Sequence, residues 1–267
     1  MLDIENLFLT FSKGTANEHR ALTDISLHLD QGEFVTVLGS NGAGKSSLFN
    51  AICGTQTLDA GRIVLEDRDI TWMPEHRRAH IIGRLFQDPM KGTAPAMTIE
   101  ENLALAFARG SRGPFSKAVR KSDQAFFHQK LAEFNMGLEN RLKTKVGLLS
   151  GGQRQAMTLL MATIAAPKLL LLDEHTAALD PNTAETVLNI TKDIVKKQGI
   201  TTMMITHNMV SALALGTRTI MMDAGRIILD VQGEERARMT VNDLLERFAQ
   251  NSGARLNTDR VLLSMQK

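Results

Sequence analysis

One segment constrains this chain more than any other. Gly39-Ser40-Asn41-Gly42-Ala43-Gly44-Lys45-Ser46 fits the phosphate-loop pattern G-x(4)-G-K-[ST]. Such a loop needs a buried strand in front of it and a helix behind it. Phe34 to Leu38, just ahead, is a short run with β-branched residues, the profile of a buried central strand. Ser46 to Cys53, just behind, reads as a helix. The residue types follow from the chemistry. Glycines let successive backbone N–H groups curl around phosphate oxygens with no Cβ in the way. The helix start near Lys45 adds its positive end. Lys45 suits β/γ-phosphates and the Ser46 hydroxyl suits magnesium, so Gly39 through Ser47 is the expected binding segment.

A second element completes a phosphate site. Leu169 to Leu172 is an apolar strand that ends at Asp173-Glu174. Carboxylates at the C-terminal edge of a parallel strand stand where such sheets bind ligands. Asp173 is expected to hold magnesium through water, and Glu174 to polarise an attacking water as general base.

The rest of the chain supplies the frame. Leu2 to Phe11 and Leu22 to Leu29 alternate apolar with polar residues and read as strands, as do Ile63 to Leu65 and Ile81 to Phe86. Pro74 to His80 has a proline suited to a helix start. Glu100 to Arg109 and Lys117 to Phe134 are helical by period, with Ser111 to Ser116 a loop between them. From Lys168 onward strands and helices alternate: Leu169–Leu172, Ala184–Lys197, Thr201–Thr206, Met209–Leu215 and Thr219–Asp223. That alternation implies an α/β fold, a mostly parallel sheet with helices on both faces. The tail from Val241 begins amphipathic and turns polar near Asn251-Ser252-Gly253.

Composition closes off several classes. A formal charge of +2, from 31 basic and 29 acidic residues, supplies no global basic field for nucleic acid. There is no tyrosine, and Trp72 is the one tryptophan, so an aromatic stacking surface for single strands is not expected. The one cysteine, Cys53, cannot close an internal disulfide, and a reducing compartment fits. No apolar run approaches the ~20 residues of a membrane span. The opening MLDIENLFLTF lacks the early basic cluster of a secretion signal, so the chain is expected to stay in the cytoplasm.

Leu149-Ser150-Gly151-Gly152-Gln153 narrows the field further. Ser150 at a helix cap, followed by bare glycine amides, makes a second anion-binding helix end. This segment resembles the signature of the ATP-binding-cassette (ABC) ATPases. Other markers of that family stand in order: Gln87 in LFQDP, Asp180 in AALD, His207 in ITHN, and Phe11 where an adenine-stacking aromatic is placed. The resemblance runs from about Leu2 to Val231. It implies a P-loop (RecA-like) core with an antiparallel β subdomain and an inserted helical subdomain. The corresponding bounds are 1–87 and 156–235 for the core, 88–155 for the helical subdomain and 236–267 for a helical tail.

The resemblance also implies the working parts. ATP and Mg2+ are the cofactors, with Ser46, Gln87 and Asp173 toward the metal. Glu174, His207, Gln87 and Lys45 are the catalytic set. Ser150, Gly151, Gly152 and Gln153 close on the nucleotide held by a second copy, and Asp180 crosses that interface. Transmembrane permease subunits and an extracytoplasmic substrate-binding protein complete the system. The chain then lies peripherally on the cytoplasmic face of the inner membrane. DEHTAALDP and FQDPMKGTAPAMTIEENLALA resemble one subgroup of bacterial importer ATPases, whose permeases work with a lipoprotein-type binding component and in some members serve aromatic amino acids. A soluble ABC ATPase acting on nucleic acid or ribosomes is the main alternative. Relatives of that kind carry two cassettes or a long coiled coil, neither of which is present. A kinase or GTPase is disfavoured by LSGGQ and His207, and a non-hydrolysing module by Glu174.

Four features stand apart. His175 replaces the proline usual after the family's glutamate, and reads as a loop residue rather than a catalytic group. His76 and His80, at i and i+4, lack a third metal ligand and read as part of a solvated basic helix. Cys53 and the Met203-Met204 and Met221-Met222 pairs read as core. Lys117 to Lys121 reads as a solvated helix face.

Overall fold

The computed structural model describes residues 1–108 and 120–251. The Ser111–Ser116 loop, most of the Lys117–Lys121 cluster and the polar end of the tail lie outside them. In chain order, the elements begin with β1 (Leu2–Phe11), β2 (His19–Leu29), β3 (Phe34–Gly39), α1 (Lys45–Cys53), β4 (Ala60–Leu65), β5 (Arg68–Asp69) and α2 (Glu75–Arg78). There follow β6 (Ile82–Leu85), α3 (Ile99–Ala108), α4 (Lys121–Ala132), α5 (Gly151–Thr163), β7 (Leu169–Asp173) and α6 (Pro181–Gln198). The chain continues through β8 (Thr201–Ile205), α7 (Met209–Leu215), β9 (Arg218–Asp223), β10 (Arg226–Gln232), α8 (Gly233–Arg238) and α9 (Val241–Asn251). Two compact units result, one from residues 1–78 with 201–267, the other from 79–200.

In the first unit, alternation builds an antiparallel sheet in the order β2-β1-β4-β5. Leu2 pairs with Leu29 on one side and Leu65 on the other. Leu2 and Ile4, then Leu7 and Leu9, turn inward with Leu22, Ile25, Leu27 and Leu29, a period of two that steps by three past Asn6 and Asp24, both at positive φ, where the register shifts. The continuous run of β3 lies parallel between β8 and β9, with Thr36 opposite Met204 and Thr219. Burial on both faces is why its residues do not alternate. Thr36 is accommodated there because its hydroxyl meets Thr219 Oγ1 at 2.9 Å. Met203, Met204, Met221 and Met222 are all core. The amphipathic start of the tail becomes α9, whose Leu244 and Phe248 pack on Leu38, Ala212 and Met221.

Strands β5 and β10 were not anticipated from the residues. Each follows a two-residue turn at positive φ, Glu66-Asp67 (48° and 63°) and Ala224-Gly225 (44° and 76°). These are tight hairpin turns of the sort that match strand twist. Short acidic or Ala-Gly pairs are a weak form of that signal. The basic helix at His76 is a single turn, and its Arg78 is buried rather than solvated. Arg78 donates to the carbonyls of Ala51 and Ile52 at the C-terminal end of α1 and to those of Thr71 and Met73.

In the second unit, β6 and β7 pair in parallel, with Arg84 opposite Leu171. Among the described residues of 88–155 the regular elements are α3, α4, short 3-10 turns and the start of α5, with one isolated bridge, Thr98 to Lys145. Their core holds Leu103, Phe127, Leu131 and Leu138, with Phe107 against Phe126 and Phe127.

Candidate functional site

Backbone contacts shape the loop between β3 and α1. Gly39 has φ 146°, and a Cβ there would stand 2.3 Å from the Met222 carbonyl oxygen. Gly44 has φ 98°, and a Cβ there would stand 2.6 Å from the carbonyl oxygen of Ala21. Neither position admits a side chain. Behind the loop, the Gly225 N–H donates to Ala43, and the Thr23 N–H to Gly225. Gly44 is the residue before α1 and gives that helix no side-chain cap. The buried Lys45 ammonium sits inside the curl, donating to the carbonyls of Gly39 and Ser40 at 2.8 Å each. Ser40 also meets Asp223 at 3.3 Å. Asn41, Gly42 at φ 82°, Ser46 and Ser47 line the outer part of the segment. An uncapped helix end with a lysine at its centre is a cradle for anionic oxygens.

In the same unit, His207 is exposed after β8, beside Asn208, which caps α7 through Ser211 N. Phe11 is half-buried at the end of β1, opposite His19.

The second unit gathers the carboxylates. Asp173 ends β7 half-buried, with Arg84 Nη2 at 3.7 Å. Glu174 follows with φ 46°, a left-handed backbone on a non-glycine residue. The amide of exposed Gln87 donates to Glu174 Oε2 at 3.3 Å. Residues 87 positions apart in sequence thus meet at one carboxylate.

Ser150 caps α5, its hydroxyl accepting from Gln153 N while Gln153 Oε1 accepts from Ser150 N. Gly151 is exposed and Gly152 is buried. A Cβ on Gly152 would stand 2.1 Å from Thr183 Cγ2 of α6. Glycine at 152 therefore serves the packing of α5 against α6. Asp180 caps α6 through Thr183 N at 3.1 Å, and hydrogen bonds from the Thr183 hydroxyl and N–H hold its carboxyl below the usual range.

His175, read from sequence as a loop residue, is a core histidine. It is 3% exposed, and burial pushes its imidazole down to about 4. Its Nε2 lies 3.2 Å from Thr191 Oγ1. Sequence reasoning missed this because neither neighbour in the string, Glu174 or Thr176, signals burial. Among the described residues no group of three or more His, Cys, Asp or Glu side chains is placed to hold a metal on its own.

Known proteins bear the same pattern. The ABC transporter family matches residues 22–177. A tyrosine transport ATP-binding protein of Clostridioides difficile is 43% identical over 248 residues, 93% of this chain and 98% of that protein. The methionine import ATP-binding protein MetN of Rhizobium johnstonii is 37% identical over 215 residues, 79% of this chain but 57% of that protein. Among solved structures, the ADP conformation of the cassette MJ1267 has a TM-score of 0.76 and 28% identity, covering 93% of this chain and 98% of its own. A dimeric post-hydrolysis state of the cassette MJ0796, bound to ADP and Pi, has a TM-score of 0.74 and 26% identity, covering 87% and 98%. A family match across more than half of the chain, and a relative alike along nearly its whole length, leave one placement: this chain belongs to the ABC transporter family, as one of its ATP-binding subunits.

Proposed function

We propose that this subunit hydrolyses ATP to drive a bacterial importer of a small solute, an amino acid, with aromatic ones first in line. The contact between Gln87 and Glu174 at 3.3 Å carries the hydrolytic reading. It aims a carboxylate at the end of a strand, where a general base is needed. Water attacks the γ-phosphorus, its proton passes to Glu174, and the bond to the β–γ bridging oxygen breaks. Lys45 and the amides of Gly39 through Ser47 offset the charge on the β- and γ-phosphates. His207 contacts the γ-phosphate, and Phe11 offers its half-buried ring to adenine.

Ser46, Gln87 and Asp173 all present oxygen donors, the ligand chemistry that Mg2+ takes. Held by such donors, the ion would neutralise phosphate charge. Ser150, Gly151, Gly152 and Gln153 serve the nucleotide of a second copy, with Asp180 at that interface.

Transport needs permease subunits, and uptake an extracytoplasmic binding protein. Among the described residues no helix is long and apolar enough to cross a membrane. In this reading the chain is held peripherally on the cytoplasmic face of the inner membrane by its permease. The likeness to a tyrosine transport protein over 98% of that protein's length supports the substrate class. Action on nucleic acid or ribosomes, the alternative reading, has no observation in its favour.

Affinity capture of the tagged chain from gently solubilised native membranes tests the assignment. A multi-span permease should come down, and the reconstituted complex should take up tyrosine in preference to methionine or putrescine when ATP is supplied. Capture of ribosomal or DNA-associated proteins alone would overturn the transport reading. Uptake of another solute would overturn only its substrate.

A further inference from the structure

The backbone of Glu174 is held where side chains rarely go. Its φ of 46° lies in the left-handed region, and such a conformation persists only where the surroundings hold it on both sides. On the N-terminal side β7 does so, with Leu169 through Leu172 fully buried. On the C-terminal side the next residue is His175.

The His175 imidazole is the buried side chain of the turn 174–180. Its Nε2 faces Thr191 Oγ1 on α6 at 3.2 Å. That hydroxyl donates its single proton to the Val187 carbonyl at 2.8 Å, so toward His175 it can only accept. Nε2 is therefore the protonated nitrogen, and it donates. Within the turn, Ala177 N donates to Glu174 O at 3.0 Å and Leu179 N to Thr176 O at 3.1 Å. Asp180 then caps α6. A proline at 175 could not make the link to Thr191.

We infer that His175 is a positioning residue for Glu174: its hydrogen bond to Thr191 anchors the turn to α6, and this holds the strained Glu174 backbone so that its carboxylate meets Gln87. The inference rests on Glu174 being the general base.

The test uses the full chain, with turnover of Mg-ATP, ATP affinity by calorimetry and melting measured on each variant. His175→Ala should lower kcat about 10- to 100-fold, the scale of a small misplacement of a reacting group. ATP affinity should stay within about twofold, because the phosphate loop is untouched. Thr191→Val should lower kcat comparably, and the double variant should be no worse than either single, as expected for two partners in one bond. His175→Gln, whose amide N–H can reach Thr191, should restore most of the turnover.

Wild-type kcat in both His175→Ala and Thr191→Val would overturn the proposal. So would kcat and affinity falling together, or failure of His175→Gln to rescue. If His175→Ala does not fold, the near-isosteric Thr191→Val and the rescue by His175→Gln decide alone. Glu174→Gln serves as the reference. Full turnover there would overturn the general-base assignment and the proposal with it. Lost turnover there, beside intact turnover in the His175 and Thr191 variants, would overturn the positioning role alone.

Discussion

The N-terminal ends of α1 and α5 are both helix starts beside glycines, and they are built differently. At α1 the preceding residue is Gly44, which caps nothing, and the buried Lys45 curls back onto the carbonyls of Gly39 and Ser40. At α5, Ser150 and Gln153 satisfy one another in a capping box. Gln153 is tied further, to the Met136 carbonyl and to Arg141. Each helix end begins with four N–H groups lacking intrahelical partners. α1 meets none of its set with a cap side chain, whereas α5 satisfies part of its set inside the chain. In the proposed function the first end cradles the phosphates of its own copy's nucleotide, and the second, with fewer donors, closes on a phosphate that another copy holds.

The largest expected effect tests that division directly. Lys45→Ala should weaken ATP binding by a single copy about 100-fold or more, on the order of 3 kcal/mol for lost charge-assisted bonds. Ser150→Asp should leave that affinity within about twofold, since its helix end is not the one holding the nucleotide. Calorimetry under conditions that keep the chain monomeric reads both. Equal losses would break the comparison.

The two regions also differ in what holds them up, and acid should tell them apart. Backbone contacts fix the loop at α1. Around Glu174 a buried imidazole does part of the work. Burial lowers His175 from 6.5 to about 4, so the unfolded chain binds a proton that the folded chain refuses. Its neutral form stabilises the fold fully above about 6.5, and that contribution is lost as pH falls toward 4. The slope is about 1.4 kcal/mol per pH unit for one proton, up to about 3 kcal/mol over the window. Denaturant melts at stepped pH should show this acid limb in the wild type, and a flatter one in His175→Gln. Parallel limbs would mean that other groups carry the acid sensitivity.

Gly152 sharpens the comparison from the packing side. Its Cβ would enter the space of Thr183 Cγ2, so Gly152→Ala should cost about 1–3 kcal/mol through overpacking between α5 and α6. Thr183→Ser removes that methyl and should return most of the stability. The Asp180 carboxylate accepts from the backbone N–H of residue 183, and that bond survives the change. No rescue would mean that the glycine is needed for its backbone alone.

Much of this was readable from residues, and the exceptions share a cause. The loop from Gly39 to Ser47, the strand ending at Asp173-Glu174 and the Ser150 helix start each carry their signal within a few adjacent residues. Local sequence sets glycine spacing, capping and strand hydrophobicity, so these were legible. The packing role of Gly152 was not, because Thr183 is far off in sequence. The same holds for the anchoring of His175 by Thr191 and the capping of α1 by Arg78. Each depends on a partner that only the tertiary packing brings near. Strand β10 escaped for a milder reason: an Ala-Gly turn is a weak hairpin signal, and the residues that follow it are half-exposed.

The smallest expected effect separates the two duties assigned to Ser150. As a cap, its hydroxyl accepts from Gln153 N. Ser150→Ala should therefore cost about 1 kcal/mol and lower the melting temperature by about 2–4 °C. Ser150→Asp keeps an acceptor at the cap and places a negative charge near the helix's positive end, so its melting temperature should match the wild type or exceed it. If the exposed Ser150 only stabilises α5, turnover should follow melting, and Ser150→Asp should be as active as wild type. If the same end closes on a phosphate bound by a second copy, the added carboxylate should abolish turnover in a protein that melts normally. Measured side by side, the two variants turn the difference between the helix ends into a difference between stability and activity at one residue.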